Sequence, residues 1–584
     1  MERRRKTLPV VKSDHDIEHH EESYYTSDHV EHDEPTDLYS HQQDNQHHEQ
    51  EKQHQGHQQP SPFVPGHWVK LSEDDDTPHL FRHSVGLEEI PGVVTTLKPA
   101  SSKKEQRPLD SKMAIIMVGL PARGKSYIVK KLRRYLNWLQ YETRVFNVGN
   151  TRRVKKTADV DQSANFFDPD NKDMKQIRDD LAMDVLEQLI DWLKNGQRSC
   201  VAIHDATNST IDRRKLLISR LQKERSIKIL LLESVCTDQK VLERNFRLKL
   251  LGPDYKDKDP SKALSDFRSR VANYERAYEP LGDWEEDHDL QYCKMINVGK
   301  KVVAYNISGY LAGQCIFYLM NFNLSERQIF VTRHGQSTDN LEDRIGGDAS
   351  LTPFGMKFAK ALEKFIGEQR KSFALEKVRN KYEQEQKWEA YGLDSLDLAD
   401  QGAAKDNGKR SAQDIINSNA RALSNSQFTV WTSMLRRSKE SAANFSAEDY
   451  DIKHIRYLNE INSGERERMT YDEIKKHYPD EFRARQENKL TYRYPGMGGE
   501  SYIDVIQRLQ PLIIELERMT QSCLIITHRV VLRIILGYLL DWSREEMPHM
   551  LVPLHAVYEL RPKPYGSQLK KWQYDEAMDT FVEF

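Results

Sequence analysis

The sequence predicts an α/β protein of two domains, each on a mostly parallel sheet, behind a disordered tail. Three observations carry this reading. The chain's 584 residues exceed what a single hydrophobic core supports. Short apolar runs alternate with amphipathic helical stretches in two separate series, the pattern of βαβ units. Residues 1–108, with "HDIEHHEESYY" and "SHQQDNQHHEQEKQHQGHQQPSP", hold few clustered apolar residues.

Most of the chain's histidines sit in that tail at irregular spacing, which reads as polar filler rather than a metal site. Its start, "RRRKT", puts Thr7 behind a basic run, a target for a basophilic protein kinase or simply a solvated charge cluster. The formal net charge of −3 argues against nucleic acid or an anionic membrane as partner. The five cysteines show no paired spacing, which predicts a reducing, cytoplasmic setting without disulfides or zinc. No stretch has membrane-spanning length, and the N-terminus lacks the apolar core of a secretory signal.

The first domain is expected over 109–323. It opens with the strand "KMAIIMVGL", a glycine turn and the helix "SYIVKKLRRYLNWL", and continues through strands in "TRVFNVG", "SCVAIHDATN", "IKILLLESVC", "YCKMINVG" and "VVAYNISGY". The second domain is expected over 326–584, with strands in "RQIFVTRHG", "QFTVWTS", "IRYLNEI" and "SCLIITH". An insertion at about 368–426 interrupts it, too long and polar for a simple connection, helical at its start and disordered in its middle.

"GLPARGKS", Gly119 to Ser126, satisfies the P-loop pattern between a strand and a helix. Its backbone N–H groups and helix N-terminus suit phosphates, Lys125 would reach the β/γ-phosphates, and Ser126 offers a hydroxyl to Mg²⁺. Asp205 ends the strand "VAIHD", where a parallel sheet displays ligand groups, although a strand-end Asp is also a common helix cap. Arg152, Arg153, Arg178, Arg213, Arg214, Lys249 and Arg270 supply the positive charge that a second, phosphorylated substrate requires.

In the second series, His334 of "RHG" is placed to attack phosphorus. Such chemistry needs cations for the phosphoryl oxygens and an acid for the departing oxygen; Arg333, Arg436, Arg437, Glu460 and His528 supply them, all near the ends of expected strands.

Both sets in this order resemble 6-phosphofructo-2-kinase/fructose-2,6-bisphosphatase, the family that makes and destroys fructose 2,6-bisphosphate. The resemblance covers roughly 111–561 through "MVGLPARGKSYIVKKLRRYLNWL", "DATNSTIDRR", "PDYKDKD", "RHGQSTDNLEDRIGGD", "LNEINSGERERMTYDEIKKHYPDEF", "RYPGMGGESY" and "THRVVLRIILGYLLD". It implies a P-loop NTPase-like kinase fold followed by a histidine-phosphatase, phosphoglycerate mutase-like fold. It implies ATP on Gly119, Leu120, Pro121, Ala122, Arg123, Gly124, Lys125, Ser126 and Tyr127, and near Asn245 and Lys249, with Mg²⁺ at Ser126 and Asp205. Fructose 6-phosphate would meet Arg152 or Arg153, Arg178, Thr207, Arg213, Lys249, Arg270 and Tyr274. Asp205 and Cys236 match the family's active-site aspartate and cysteine.

In the second domain the resemblance makes His334 the phosphohistidine nucleophile and Glu460 the proton donor, with Arg333, Asn340, Arg437 and His528 around the phosphoryl group. Gly346, Tyr471, Arg485, Lys489, Tyr502, Arg529 and Arg533 would hold the rest of the bisphosphate. The resemblance also implies a homodimer. The chain departs from the family pattern at Arg529, where glutamine is usual, at Gln336, in "GMG", and in the insertion; on the kinase side "GNTRR" lacks an aromatic and "NFRLKLLGPDY" is a residue short. These departures support an alternative in which the second domain is a weak phosphatase or a regulatory binding module. A third reading is a P-loop scaffold whose tail and insertion recruit partners.

Overall fold

"KMAIIMV" is apolar along its length, which suits a strand covered on both faces, and in the computed structural model it is β1, Lys112–Val118, buried at every position after Lys112. The structure describes residues 112–154, 164–196, 199–250, 254–255, 259–321, 323–390, 412–563 and 566–584. The tail with Thr7 and the middle of the insertion lie outside the described residues.

Around β1 the first lobe places β2 (Glu142–Asn147), β3 (Cys200–Asp205), β4 (Ile227–Val235), β5 (Tyr292–Ile296) and β6 (Lys301–Tyr305), in the order β2-β3-β1-β4-β5-β6. Only β6 runs antiparallel to its neighbour. In this sheet β3 and β4 flank β1, so the turn after β1 opens at the carboxyl ends of all three strands, where α/β sheets hold ligands. Gly119 takes φ +125° there and a Cβ would lie 2.5 Å from the Ser234 carbonyl oxygen, so only glycine fits this turn.

The second lobe's sheet joins β7 (Ile329–Arg333), β8 (Thr429–Thr432), β9 (Asp451–His454), β10 (Cys523–Thr527), β11 (Ala556–Lys563), β12 (Gly566–Asp575) and β13 (Thr580–Glu583) in the order β13-β12-β11-β7-β10-β8-β9. The strand expected at "IRYLNE" is displaced. "DIKH" pairs with β8, and Arg456–Leu458 is a 3₁₀ turn, because β8 has only four residues to pair and its last carbonyl is taken by Ile455 N at 2.8 Å. The antiparallel β11–β13, absent from the sequence reading, close the other edge.

The insertion begins inside one continuous helix, Pro353–Ala390, and ends in a second, Ala412–Ser424, packed on it. Arg370 anchors the first to the second through the Ser424 carbonyl, 3.1 Å.

One apolar cluster runs through both lobes, from Met113 and Ile115 through Tyr135 and Tyr318 to Ile513, Ile534 and Leu536. The P-loop helix, Lys125–Trp138, lies at its centre, against helices Tyr502–Arg518 and Arg529–Leu540. Trp138 Nε1 donates to the Ile534 carbonyl at 3.2 Å, and Tyr135 stacks on Tyr318 with centroids 4.2 Å apart. Within this apolar contact Glu517 accepts from Lys131 at 2.7 Å, Arg134 at 2.7 Å and the Tyr538 hydroxyl at 2.6 Å. No helix among the described residues is long and apolar enough to cross a membrane, and the five cysteines are free.

Candidate active sites

The turn after β1 opens into a cavity of about 1760 Å³. Pro121 to Tyr127, Arg152, Arg153, Arg178, Asp205, Thr207, Arg213, Cys236, Asn245, Lys249, Arg270 and Tyr274 all line it, so the sequence-expected set converges. Gly119 and Leu120 act from behind: their carbonyls each accept from Lys125 Nζ at 2.6 Å, and Gly119 N is bonded to the Thr207 carbonyl at 2.9 Å. Burial pulls the Lys125 ammonium down to about 7, with the nearby Asp205 carboxylate opposing. Asp205, itself buried, is pushed up by desolvation; Lys125, Asn147 and the Ser126 hydroxyl pull the other way. Register explains Asn147, which pairs with Asp205 across β2 and β3 and donates to it at 2.6 Å.

The arginines form two groups. Arg152, Arg153 and Arg270 all reach the carboxylate of Asp254 at 3.2–3.3 Å, and Arg270 lies over the Phe167 ring at 3.8 Å from its centroid. Arg178 and Arg213 form the second group, bonded to the Phe166 carbonyl and the Asp179 carboxylate. Arg214, by contrast, is fully buried on Glu285 at 2.7 Å, a structural pair outside the cavity wall. Asn245 donates to the Ala122 carbonyl at 3.0 Å and so braces the P-loop. Burial raises the Cys236 thiol, which makes it a neutral wall group rather than a thiolate. Asp254, Phe167 and Asn147 escaped the sequence reading; "PDY" was quoted, but a lone Asp gives no sign that three distant arginines meet on it.

In the second lobe β7 and β10 are parallel neighbours, with Arg333 opposite Thr527, and this brings the following histidines together. His334 N donates to the Thr527 carbonyl at 2.9 Å, and the His334 and His528 rings are 5.0 Å apart. His334 Nδ1 lies 2.7 Å from the Gly335 carbonyl, so that nitrogen carries the proton and Nε2 keeps its lone pair. Arg437 Nε donates to Nε2 at 3.1 Å. Burial, then Arg437 and Arg333, hold the His334 imidazole far below its usual range, and the same burial and Arg437 act on His528. His528 Nε2 meets Ser433 Oγ at 2.7 Å.

Arg333 is drawn down to about 9 by burial and by Arg529, which is exposed on the first turn of its helix. Glu460 follows the 3₁₀ turn, not a strand; its Oε1 accepts from Ile461 N at 3.0 Å and Val530 N at 3.2 Å. Asn340 Oδ1 caps the short helix after "RHGQ" by accepting from Ser337 N at 3.0 Å. Gly346 sits at φ +73° with the Glu467 carboxylate where a Cβ would go, and next to it the Gly347 carbonyl receives Arg437 Nη1 at 2.8 Å. Beyond Glu460, Arg485 donates to the Tyr471 and Tyr494 hydroxyls at 2.9 and 3.0 Å, and Arg533 to the Tyr502 hydroxyl at 3.2 Å. Lys489 is half-buried just after the helix Pro479–Glu487. Three groups were missed: Ser433 and Tyr494, plus Arg508, whose Nη2 donates to the carbonyls of Asn459 and Glu460 at 2.7 and 3.1 Å and so shapes the Glu460 loop.

Fold and sites together define a chain with a P-loop lobe and a histidine-phosphatase lobe. Family models agree, with 6-phosphofructo-2-kinase matching residues 101–326 and histidine phosphatase superfamily (branch 1) matching 405–575. A probable 6-phosphofructo-2-kinase of Schizosaccharomyces pombe is 47% identical, over 86% of this chain and 76% of its own. 6-Phosphofructo-2-kinase 1 of Saccharomyces cerevisiae is also 47% identical, over 84% of this chain and 56% of its own. The human 6-phosphofructo-2-kinase/fructose-2,6-bisphosphatase 3 is 38% identical over 79% of this chain and 76% of its own. The chain belongs to the 6-phosphofructo-2-kinase/fructose-2,6-bisphosphatase family.

Proposed function

We propose that the two lobes run opposite phosphoryl transfers on one sugar. The first transfers the γ-phosphoryl of ATP to the 2-hydroxyl of fructose 6-phosphate, and the second removes that 2-phosphate from fructose 2,6-bisphosphate. The observation that carries the reading is the His334 geometry, with Nδ1 tied to a carbonyl and Nε2 facing Arg437, in a chain whose other lobe has an arginine-walled P-loop cavity.

On the kinase side the triphosphate lies on the N-terminus of helix Lys125–Trp138, with Lys125 and Lys249 on the moving phosphoryl group. The sugar 6-phosphate displaces Asp254 from Arg152, Arg153 and Arg270, while Arg178, Arg213, Thr207 and Tyr274 orient the ring. The donor set at Ser126 and Asp205, a hydroxyl beside a buried carboxylate, is the hard oxygen chemistry that suits Mg²⁺. No cluster of three His, Cys, Asp or Glu among the described residues could hold a metal alone, so the ion would arrive with the nucleotide and neutralise phosphate charge.

On the phosphatase side neutral His334 attacks through Nε2, and Arg437 turns its Nε–H from that nitrogen to a phosphoryl oxygen beside Arg333, Asn340 and His528. Glu460 gives a proton to the leaving 2-oxygen and then takes one from the water that cleaves the phosphohistidine. Tyr471, Arg485, Lys489, Tyr502 and Arg533 hold the 6-phosphate end, with Gly346 fixing the loop under Arg437. By resemblance to the family the enzyme is a homodimer; the unpaired cysteines fit a reducing, cytoplasmic setting, and the basic run before Thr7 is either a recognition sequence for a regulatory protein kinase or a solvated charge cluster.

The test follows phosphate release from fructose 2,6-bisphosphate labelled at the 2-phosphate. Release should vanish in His334→Ala, and an acid-labile labelled protein should form in the unmutated chain. A second reading, kinase with a silenced phosphatase lobe, is favoured by Arg529, whose charge beside Arg333 would retain product phosphate. It predicts labelling without release, and release restored in Arg529→Gln.

A further inference from the structure

The turn that carries His334 is held from behind by a side chain with no direct part in the phosphoryl transfer. His555 lies just before β11 and is buried, 6% exposed. Its backbone takes φ +63°, a left-handed conformation that a non-glycine residue keeps only where its surroundings hold it. The ring sits among Phe354, Phe358 and Tyr574, with centroids 4.6, 4.8 and 6.4 Å away, and the His555 carbonyl accepts from Tyr574 N at 3.0 Å.

One polar contact ties this ring to the active site. Gln336 N donates to His555 Nε2 at 3.0 Å. A backbone amide can only donate, so Nε2 carries no proton and the neutral ring keeps its hydrogen on Nδ1. Burial, then Arg333, pull this imidazole to about 4 against the nearby Glu576, so the acceptor stays unprotonated at neutral pH. Gln336 N belongs to the same peptide group as the Gly335 carbonyl, and that carbonyl meets His334 Nδ1 at 2.7 Å. The two histidines therefore stand at opposite ends of one peptide unit. Its flanks are pinned as well. Gly335 N donates to Ser441 Oγ at 2.9 Å, Thr352 N donates to the Gln336 carbonyl at 2.9 Å, and a Cβ on Gly355 would lie 2.2 Å from that carbonyl oxygen.

We propose that His555 is a positioning residue for hydrolysis, acting on His334 through the Gly335–Gln336 peptide; the inference rests on the phosphatase reading above. As His334 Nε2 bonds to phosphorus, the bond from phosphorus to the sugar 2-oxygen breaks and that oxygen takes its proton from Glu460. Positive charge then develops on the His334 ring, and its Nδ1–H donates more strongly to the Gly335 carbonyl. Polarising that carbonyl makes Gln336 N–H a stronger donor in turn, and His555 Nε2 is the acceptor that receives it. His555 thus holds the carbonyl that fixes the tautomer of the nucleophile.

The experiment compares His555→Phe and His555→Gln with the unmutated full chain on fructose 2,6-bisphosphate labelled at the 2-phosphate. Phenylalanine keeps a ring against Phe354 and Phe358 and removes the acceptor. Glutamine puts an amide oxygen as many bonds from Cβ as Nε2. His555→Phe should lower kcat for hydrolysis on the order of tenfold to a hundredfold, the range for losing a partner that orients a metal-bound histidine, with KM within about twofold. Labelling of His334 should slow in step, and His555→Gln should recover most of both rates. Synthesis by the first lobe should be unchanged in both variants, which reports a folded chain. Unchanged kcat in His555→Phe overturns the proposal. So does a rise in KM alone, which would mean substrate contact, or a glutamine variant no faster than the phenylalanine one, which would leave the ring a packing element. Loss of synthesis together with hydrolysis would assign His555 to folding and overturn it too. An unmutated chain that neither takes label nor releases phosphate would instead refute the phosphatase reading itself, and this inference with it.

Discussion

Replacing Glu517 by glutamine tests the contact that joins the lobes. The carboxylate is 2% exposed, and the buried Lys131 and the half-buried Arg134 come to it from the P-loop helix. Burial alone would raise its pKa, yet Lys131 and Arg134 outweigh that and bring it from 4.5 to about 2. At 1.36 kcal/mol per unit, that depression corresponds to about 3 kcal/mol of stability. The sign follows from the direction. A depressed carboxylate contributes fully above its unfolded value near 4.5, and the contribution is lost as pH falls through about 2. Glu517→Gln leaves the buried Lys131 and the half-buried Arg134 without their carboxylate, so at pH 7 it should cost about 3–5 kcal/mol. Denaturant midpoints of both proteins from pH 7 to pH 2.5 are the assay. The gap should be widest at pH 7 and narrow below pH 4.5. A loss under about 1 kcal/mol at pH 7, or a gap that ignores pH, would refute the argument that this ion cluster ties the lobes.

Lys125→Ala should abolish synthesis of fructose 2,6-bisphosphate and leave hydrolysis, measured side by side; joint loss would contradict two separate sites. Because Lys125 sits near 7 and must be charged to meet the triphosphate, ATP binding should take up a proton above neutrality. Affinity should then weaken by up to about tenfold per pH unit above 7, visible as buffer-dependent binding heats. Gly346→Ala combines a left-handed backbone, costing about 1–2 kcal/mol, with a clash on the Glu467 carboxylate. Hydrolysis should drop while synthesis persists, and equal activity in both assays would discard the assigned role of that loop. Arg508→Ala should lower kcat for hydrolysis more than it raises KM, since Arg508 holds the Glu460 loop by backbone carbonyls; an effect on KM alone would point to substrate contact instead.

What the sequence showed, and what it did not, follows from how each signal is encoded. The P-loop turn and the two strand-end histidines were legible because each is local: a strand, a fixed spacing and a chemically distinctive residue lie within ten positions. "IRYLNE" has the alternation of a strand, but whether it pairs depends on β8, which runs out of partners after four residues. Asp254 shows the opposite difficulty. Nothing around it hints that Arg152 and Arg270 will meet on its carboxylate, since that is decided by how the helices cross. The insertion's opening reads as helix in the sequence and is the far half of the helix Pro353–Ala390, pinned at Glu376 by Arg561; its middle lies outside the described residues.

The two sites are mechanically linked by geometry that also limits how they can be regulated. The helix whose first turn carries Lys125 and Ser126 is the one whose last turn bonds to Ile534, on the helix that begins just after His528. Parting the lobes would expose Tyr135, Trp138 and Tyr318 and break the Glu517 cluster. At roughly 1.5–3 kcal/mol for each large apolar side chain, that opening costs several kcal/mol before any charge is counted. A ligand can drive such an opening only by binding the open form better by the same amount.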